Sequence, residues 1–220
     1  MRSAIFDLDG TLVDTSADLL AAANAVFKGW GLGAPLGAGD EVIAFGGGRA
    51  MLRAGLMRLG LVVDEAQVSA GYLPLLDHYR TNIDQHSRVY PGVKLALDTL
   101  RDTGWQLGVC TNKPQALADL LLAKLGLDRY FPVVLGADVL PVRKPDPFHL
   151  TETIARLGGA PQRAVLIGDT ITDHATAMAA GLPCVLVTFG PNAEACRALA
   201  PTALLATYAE LPALLGRLVP

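Results

Sequence analysis

Ala4-Ile5-Phe6-Asp7-Leu8-Asp9-Gly10-Thr11 runs from a short apolar stretch straight into two acids and a glycine. An apolar run of this length bounded by turn formers reads as a buried parallel strand. Side chains two apart on an extended strand face the same way, so Asp7 and Asp9 share one crevice. Gly10 lets the chain turn sharply after them. The acids then project from the carboxyl end of a strand, where open α/β sheets bind ligands. Taken alone, Asp-x-Asp is more often a solvated acidic turn. It is not an EF-hand loop, because Leu12 stands where the invariant glycine belongs and Asp18 where the glutamate belongs.

Working outward, further apolar runs bounded by turn residues follow at Gln106 to Cys110, Val133 to Leu135, Ala164 to Ile167 and Cys184 to Val187. Between them lie amphipathic segments with apolar residues three or four apart: Val93 to Thr103, Pro114 to Leu125, Pro147 to Leu157 and Asp173 to Ala180, several opened by proline. The alternation predicts an α/β fold with a Rossmann-like, doubly wound parallel sheet. It fails between about Thr15 and Arg88, where helical patterns at Ala17 to Phe27, Ala50 to Leu59 and Glu65 to Tyr79 are separated by glycine-rich pieces and no run resembles a strand. The expected organisation is a Rossmann-like core from 1–14 and 89–220 and an inserted helical cap at 15–88, with the crossings at Val13-Asp14 and Ser87 to Pro91 as a hinge.

The pair Asp7 and Asp9 gains meaning from a second acidic strand end, Ile167-Gly168-Asp169-Thr170-Ile171-Thr172-Asp173. Three or four converging carboxylates repel one another unless a cation neutralises them, and hard oxygen ligands favour Mg²⁺ over zinc. Asp173 on its own could simply cap the following helix. Thr111-Asn112 after the second apolar run supplies hydroxyl and amide donors, and Lys144 before Pro145 supplies a cation, the complement a transferring phosphoryl group needs. Each has a plainer alternative: Thr111 as the N-cap of a helix starting at Pro114, Lys144 as a solvated lysine.

These elements together, DLDGT at 7–11, Thr111-Asn112, Lys144-Pro145 and GDTITD at 168–173, resemble the four-motif signature of the haloacid dehalogenase superfamily of phosphohydrolases, over essentially the whole chain. The run Thr111-Asn112-Lys113-Pro114, with Gly168-Asp169-Thr170 to Gly181, looks most like the phosphoglycolate phosphatase-like branch. The resemblance implies that Asp7 is the nucleophile that forms an aspartyl-phosphate and that Asp9 is acid and then base. It implies that Thr111 and Asn112 hold phosphoryl oxygens and that Lys144 balances charge. It also implies Mg²⁺ on Asp7, Asp169 and the backbone carbonyl of Asp9, with Asp173 orienting the site. In the insertion, Gly46-Gly47-Gly48-Arg49 precedes the helical pattern from Ala50 and resembles the substrate loop of phosphoglycolate phosphatases. Arg49 would pair there with a substrate carboxylate, and the alternative is a flexible loop with a solvated arginine. The expected substrate is a small phosphorylated metabolite, with 2-phosphoglycolate the nearest guess.

Other activities on the same scaffold separate by residues. A haloalkanoic acid dehalogenase needs neither Asp9 nor Asp169. A phosphonoacetaldehyde hydrolase requires a Schiff-base lysine in the insertion, where only Lys28 stands. A phosphomutase of the β-phosphoglucomutase type keeps all four motifs and remains open. A noncatalytic binding protein would be expected to have lost an acid.

Composition narrows the rest. In 220 residues, 51% are hydrophobic and 18% charged, which excludes extended disorder. Eighteen basic against twenty-one acidic residues give a net charge of −3 without long runs of either sign, which argues against a nucleic-acid or anionic-membrane binder. Leu19 to Phe27 is interrupted by Asn24 and falls short of the roughly 18 apolar residues a membrane span needs. With no secretory leader pattern the expectation is a cytoplasmic monomer or homodimer. Cys110, Cys184 and Cys196 lack metal or disulfide spacing and read as buried free thiols. His78, His86, His149 and His174 show no ligand spacing and read as surface or helix residues, and Trp30 and Trp105 as packing residues.

Overall fold

β1 (Arg2–Phe6), buried from Ser3 onward, is a central strand of a six-stranded parallel sheet. The computed structural model describes residues 1–219. Chain contacts divide them into two units, one formed by Met1–Asp14 with the chain from Val89 onward, the other by Thr15–Arg88.

In the first unit β1 is flanked by β4 (Trp105–Cys110) and β6 (Ala164–Gly168), with β5 (Val133–Leu135), β7 (Cys184–Val187) and β8 (Ala203–Leu205) completing the order β5-β4-β1-β6-β7-β8. All five neighbouring pairs are parallel. The register fixes what matters for the site. Phe6 pairs with Val109 on one side and Ile167 on the other, so the residues after each strand emerge level with one another at a single sheet edge. The five expected strands are present. β8 is an addition that the sequence reading did not include. Two short strands, β2 (Val13–Asp14) and β3 (Arg88–Val89), pair in a separate ribbon at the two ends of the stretch in which no strand-like run was read.

The sheet is flanked by α5 (Val93–Asp102), α6 (Gln115–Lys124), α7 (Pro147–Arg156) and α8 (Ile171–Ala180), with α9 (Ala193–Ala198) and α10 (Leu211–Leu218) toward the carboxyl end. α5 buries Val93, Ala96, Leu97 and Leu100, the i, i+3, i+4, i+7 stripe that drives a helix onto a sheet. α8 starts two residues before the expected Asp173 because Thr170 is its N-cap. The Thr170 hydroxyl accepts from the Asp173 N–H while the Asp173 carboxylate accepts from the Thr170 N–H, a capping box. Gly181, left-handed at φ 66°, ends the helix. Cys110, Cys184 and Cys196 are buried free thiols.

The second unit holds α1 (Ser16–Gly29), α2 (Glu41–Phe45), α3 (Gly48–Arg58) and α4 (Glu65–Thr81). α1 packs on α3 and α4, and small residues make the approach possible. A Cβ at Gly55 would run into the Phe27 ring, and one at Gly71 would meet the Trp30 ring. Trp30 therefore packs, edge-on to Phe27 at 5.4 Å, and it stands at the C-cap of α1. Asn24, which interrupts the apolar run of α1, donates to the Leu36 carbonyl (2.7 Å) and accepts from the Leu36 N–H (3.1 Å), tying down the long glycine-rich connection. Asp18, buried in the first turn of α1, accepts from the N–H groups of His86 and Ser87 and from the Ser87 hydroxyl. No helix among the described residues is long and apolar enough to cross a membrane.

Candidate active site

The parallel register brings four loop beginnings to one edge of the sheet. Asp7 follows β1 directly, its N–H still donating to the Ile167 carbonyl at 2.9 Å. Thr111 follows β4, its N–H donating to the Leu135 carbonyl at 3.0 Å. Asp169 follows β6, and Lys144 stands in the connection between β5 and α7. Gly10 is required where it stands. Its φ is +77°, and a Cβ there would overlap the Asp169 carboxylate. The tight turn, in which Gly10 N–H bonds to the Val13 carbonyl, thus lets the β1 loop lie against the β6 loop.

Lys144 Nζ lies 2.9 Å from Asp7 Oδ2 and 2.6 Å from Asp173 Oδ1. Its side chain is 1% exposed, so the alternative of a solvated lysine is overturned. A buried lysine persists only when paired. Burial works against its charge, but Asp173 and Asp7 outweigh that and hold its pKa above the ordinary value. The other Asp173 oxygen accepts from the N–H groups of Asp169 (3.2 Å) and Thr170 (3.1 Å) and from the Thr170 hydroxyl (2.7 Å). Asp173 thus joins both readings made of it, capping α8 and facing the acidic cluster.

Asp169 is gripped from two directions. Thr11 Oγ1 donates to its Oδ1 (2.9 Å) and Asn192 Nδ2 to its Oδ2 (3.1 Å), while the Cys196 thiol donates to its backbone carbonyl (3.0 Å). Tyr208 hydroxyl in turn donates to the Thr11 carbonyl at 2.8 Å. Burial first, then the charges of Asp173 and Asp7, push the Asp169 carboxyl well above its usual range. Asp7 is raised to about 6 by burial, against the pull of Lys144 and with the push of Asp173.

Ligand oxygens of Asp7, Asp169 and Asp173 all lie within 4.8 Å of one another. The donor set suits a hard divalent cation, being oxygen only, with no thiol or imidazole among the three. Charge points the same way. Asp7, Asp9, Asp169 and Asp173 face Lys113 and Lys144, and with every carboxyl ionised four carboxylates against two ammonium groups leave two negative charges. Burial and that excess are why Asp7 and Asp169 hold their protons more tightly until a cation takes their place. Asp173, whose oxygens already take Lys144 and three donors, is the least free to ligate. Each Asp169 oxygen carries one of the donors described above, which leaves acceptor capacity on both.

Three residues of this network were given no role of their own in the sequence reading. Lys113, 3% exposed in its side chain, places Nζ at 2.8 Å and 3.0 Å from the two Asp9 oxygens. Its one visible signal was its place beside Thr111-Asn112. Thr11 lies inside DLDGT but had been given no partner. Asn192 comes from the loop after β7, far from every motif, and nothing in the sequence marks it. Thr111 does not cap a helix, since α6 starts at Gln115 behind Pro114, and its hydroxyl instead accepts from the Lys113 N–H at 3.2 Å. Asn112 is exposed and donates one amide hydrogen to the Lys144 carbonyl at 2.9 Å, tying the β4 and Lys144 loops together. A second hydrogen remains on that amide.

One further expectation needs correction. Gly48 and Arg49 do not precede the helix but form its first turn, with Gly47 as the N-cap at φ 89°. A Cβ at Gly48 would press on the Tyr72 ring at 3.1 Å, so this glycine serves packing. Arg49 lies in the second unit, donating to the Ser69 hydroxyl at 3.0 Å and standing 4.7 Å over the Tyr72 ring. His149 takes the helix alternative of its reading, lying fully buried in α7, and burial followed by the charge of Lys144 lowers its pKa.

Comparison with known proteins agrees with this geometry. Residues 4–187 match the family described as haloacid dehalogenase-like hydrolase. The chain is 41% identical to a phosphoglycolate phosphatase of Agrobacterium fabrum over 98% of its own length and 93% of the relative's. It is 36% identical to one from Cereibacter sphaeroides, with both chains fully covered. The crystal structure of a "predicted phosphoglycolate phosphatase" from Haemophilus somnus superposes with a TM-score of 0.84 at 26% identity, covering 97% of each chain. An α/β sheet of this order, acids at the ends of β1 and β6, a buried lysine between them and a family match over most of the sequence lead to one conclusion: the chain belongs to the haloacid dehalogenase-like hydrolase family.

Proposed function

We propose that the protein is a Mg²⁺-dependent phosphomonoesterase acting on a small phosphorylated metabolite, 2-phosphoglycolate first among them. The observation that carries the reading is the Asp7 carboxylate, held at a sheet edge by Lys144 and facing Asp169 and Asp173. Its Oδ1 is fixed by the Leu8 N–H at 2.7 Å, which orients the group as a nucleophile is oriented. The whole-chain likeness to phosphoglycolate phosphatases supports the substrate class.

In this reading an Asp7 oxygen forms a bond to phosphorus as the ester oxygen leaves with its electron pair. The Asp9 carboxyl gives that oxygen its proton and, as a carboxylate, then takes a proton from the water that cleaves the aspartyl-phosphate. Thr111 and the free amide hydrogen of Asn112 hold phosphoryl oxygens. Lys144 offsets charge on Asp7 and on the transferring group. Asp7, Asp169 and the Asp9 carbonyl would hold Mg²⁺, which when bound supplies charge neutralisation at the phosphoryl oxygens. Asp173 keeps Lys144 and the β6 loop in place. Residues 15–88 serve as the cap, with Arg49 pairing with the substrate carboxylate. Three reduced thiols suit a cytoplasmic protein.

The test is phosphate release from a panel of phosphoglycolate, hexose phosphates and nucleoside monophosphates, with Mg²⁺ or with EDTA, for the natural chain and Asp7→Asn. Release that depends on Mg²⁺ and vanishes in Asp7→Asn is expected, with phosphoglycolate preferred. Interconversion of hexose phosphates without release would replace the reading with a mutase. For Arg49, charge reversal should raise KM for carboxylated phosphates and spare the others, and an unchanged KM would remove Arg49 from the site.

A further inference from the structure

We propose that Lys113 is a positioning residue for the proton transfer to the leaving group, holding Asp9 in the orientation from which it acts. The inference rests on the reading of Asp9 as acid and base, and it adds a residue that the four motifs do not contain.

Three observations carry it. Lys113 reaches both oxygens of Asp9, at 2.8 Å and 3.0 Å, and two charge-assisted bonds to one ammonium restrict the carboxylate to a narrow set of rotamers. Exposure divides the pair unequally, with 3% of the Lys113 side chain and 19% of the Asp9 side chain open. The lysine thus stands behind Asp9, and the carboxylate is the member that can meet substrate. The lysine is itself anchored through its backbone. Its N–H donates to the Thr111 hydroxyl at 3.2 Å and its carbonyl accepts from the Ala137 N–H at 3.0 Å. Gly136 permits that approach, since a Cβ there would lie 2.9 Å from the Lys113 carbonyl oxygen.

The division of labour between the two buried lysines follows. Lys144 serves Asp7 and Asp173, and Lys113 serves Asp9. When the ester oxygen takes the Asp9 proton, negative charge returns to Asp9 and faces an ammonium already in place, so that little reorganisation is needed. Removing Lys113 should therefore harm reactions whose leaving group needs a proton more than those whose leaving group does not.

The experiment compares kcat/KM for an alkyl phosphate, phosphoglycolate, with kcat/KM for p-nitrophenyl phosphate, whose phenolate departs without protonation. This ratio of constants reports steps up to the first P–O cleavage and omits the later attack of water. Positioned acids contribute about a hundredfold or more, so Lys113→Met should lower the alkyl ester at least about tenfold more than the aryl ester. Lys113→Gln, a neutral donor of shorter reach, should show the same selectivity more weakly and serves if the methionine variant does not fold. In an Asp9→Asn background the selective effect should vanish, because both changes act through one group. Equal losses on both esters would overturn the inference while leaving Asp9 as the acid, provided Asp9→Asn is itself selective. If Asp9→Asn is not selective, the acid assignment falls and this inference falls with it.

Discussion

Asp173→Ala tests whether the acidic edge is held together as one network. Removing this fully buried carboxylate takes away its half of the α8 capping box, while the Thr170 hydroxyl still caps the helix. It also strands the buried Asp169 N–H and takes from Lys144 the closer of its two carboxylate partners, at about 1–3 kcal/mol for each buried group left unsatisfied. Part of this returns, because Asp173 is a like charge that pushes Asp7 and Asp169 upward, and Lys144 keeps Asp7. The expected net loss is about 3 kcal/mol. For a chain of this size that lowers Tm by roughly 6–12 °C. The assay is a thermal melt near neutral pH without divalent cations. Asp173→Asn retains one carbonyl oxygen, which can serve Lys144 or the loop N–H groups but not both, and should fall between the natural chain and Asp173→Ala. A Tm for Asp173→Ala within about 2 °C of the natural chain, less than 1 kcal/mol, would refute the reasoning.

Gly10→Ala should cost about 1–2 kcal/mol for a side chain at positive φ, with a further cost because the new Cβ displaces the Asp169 carboxylate. Loss of activity beyond the loss of stability is expected, and full activity in a folded variant would contradict the close packing of the two loops. Asn192→Ala frees one oxygen of Asp169 from its donor, so the Mg²⁺ concentration for half-maximal activity should rise about tenfold with KM for substrate little changed; an unchanged Mg²⁺ requirement would assign Asn192 to packing alone. The pH dependence follows from the direction of the carboxyl shifts. Asp7 stands at about 6 in the folded chain against an ordinary 3.8, so between those values the folded protein binds a proton that the unfolded one lacks. Stability of the metal-free protein from this group therefore falls as pH rises through that window, and Asp169 adds in the same sense. Mg²⁺ replaces those protons, so the Tm gained on adding it should grow from about pH 4.5 to pH 7. A gain independent of pH would count against a site built on these carboxylates.

The sequence alone determined five of the six strands and the four loops that carry chemistry, because both are local. A buried parallel strand is legible as an unbroken apolar run such as Ala4 to Phe6, and Asp7 follows it with no intervening geometry to guess. The amphipathic stripe of α5 is equally local. Tertiary structure decided which groups meet. Lys113 and Asp9 are 104 residues apart and Asn192 and Asp169 are 23 apart, and no local pattern says that one ammonium faces Asp9 while the other is shared by Asp7 and Asp173. Lys144 looked as much like a solvated lysine as a site residue until burial removed that choice, and Arg49 looked like a loop residue until Gly47 proved to be the helix cap. The physical reason is common to these cases. Strand and helix are set by backbone propensity and the period of burial, whereas the pairing of buried charges is set by the register of distant strands and by the cost of leaving any one of those charges without a partner.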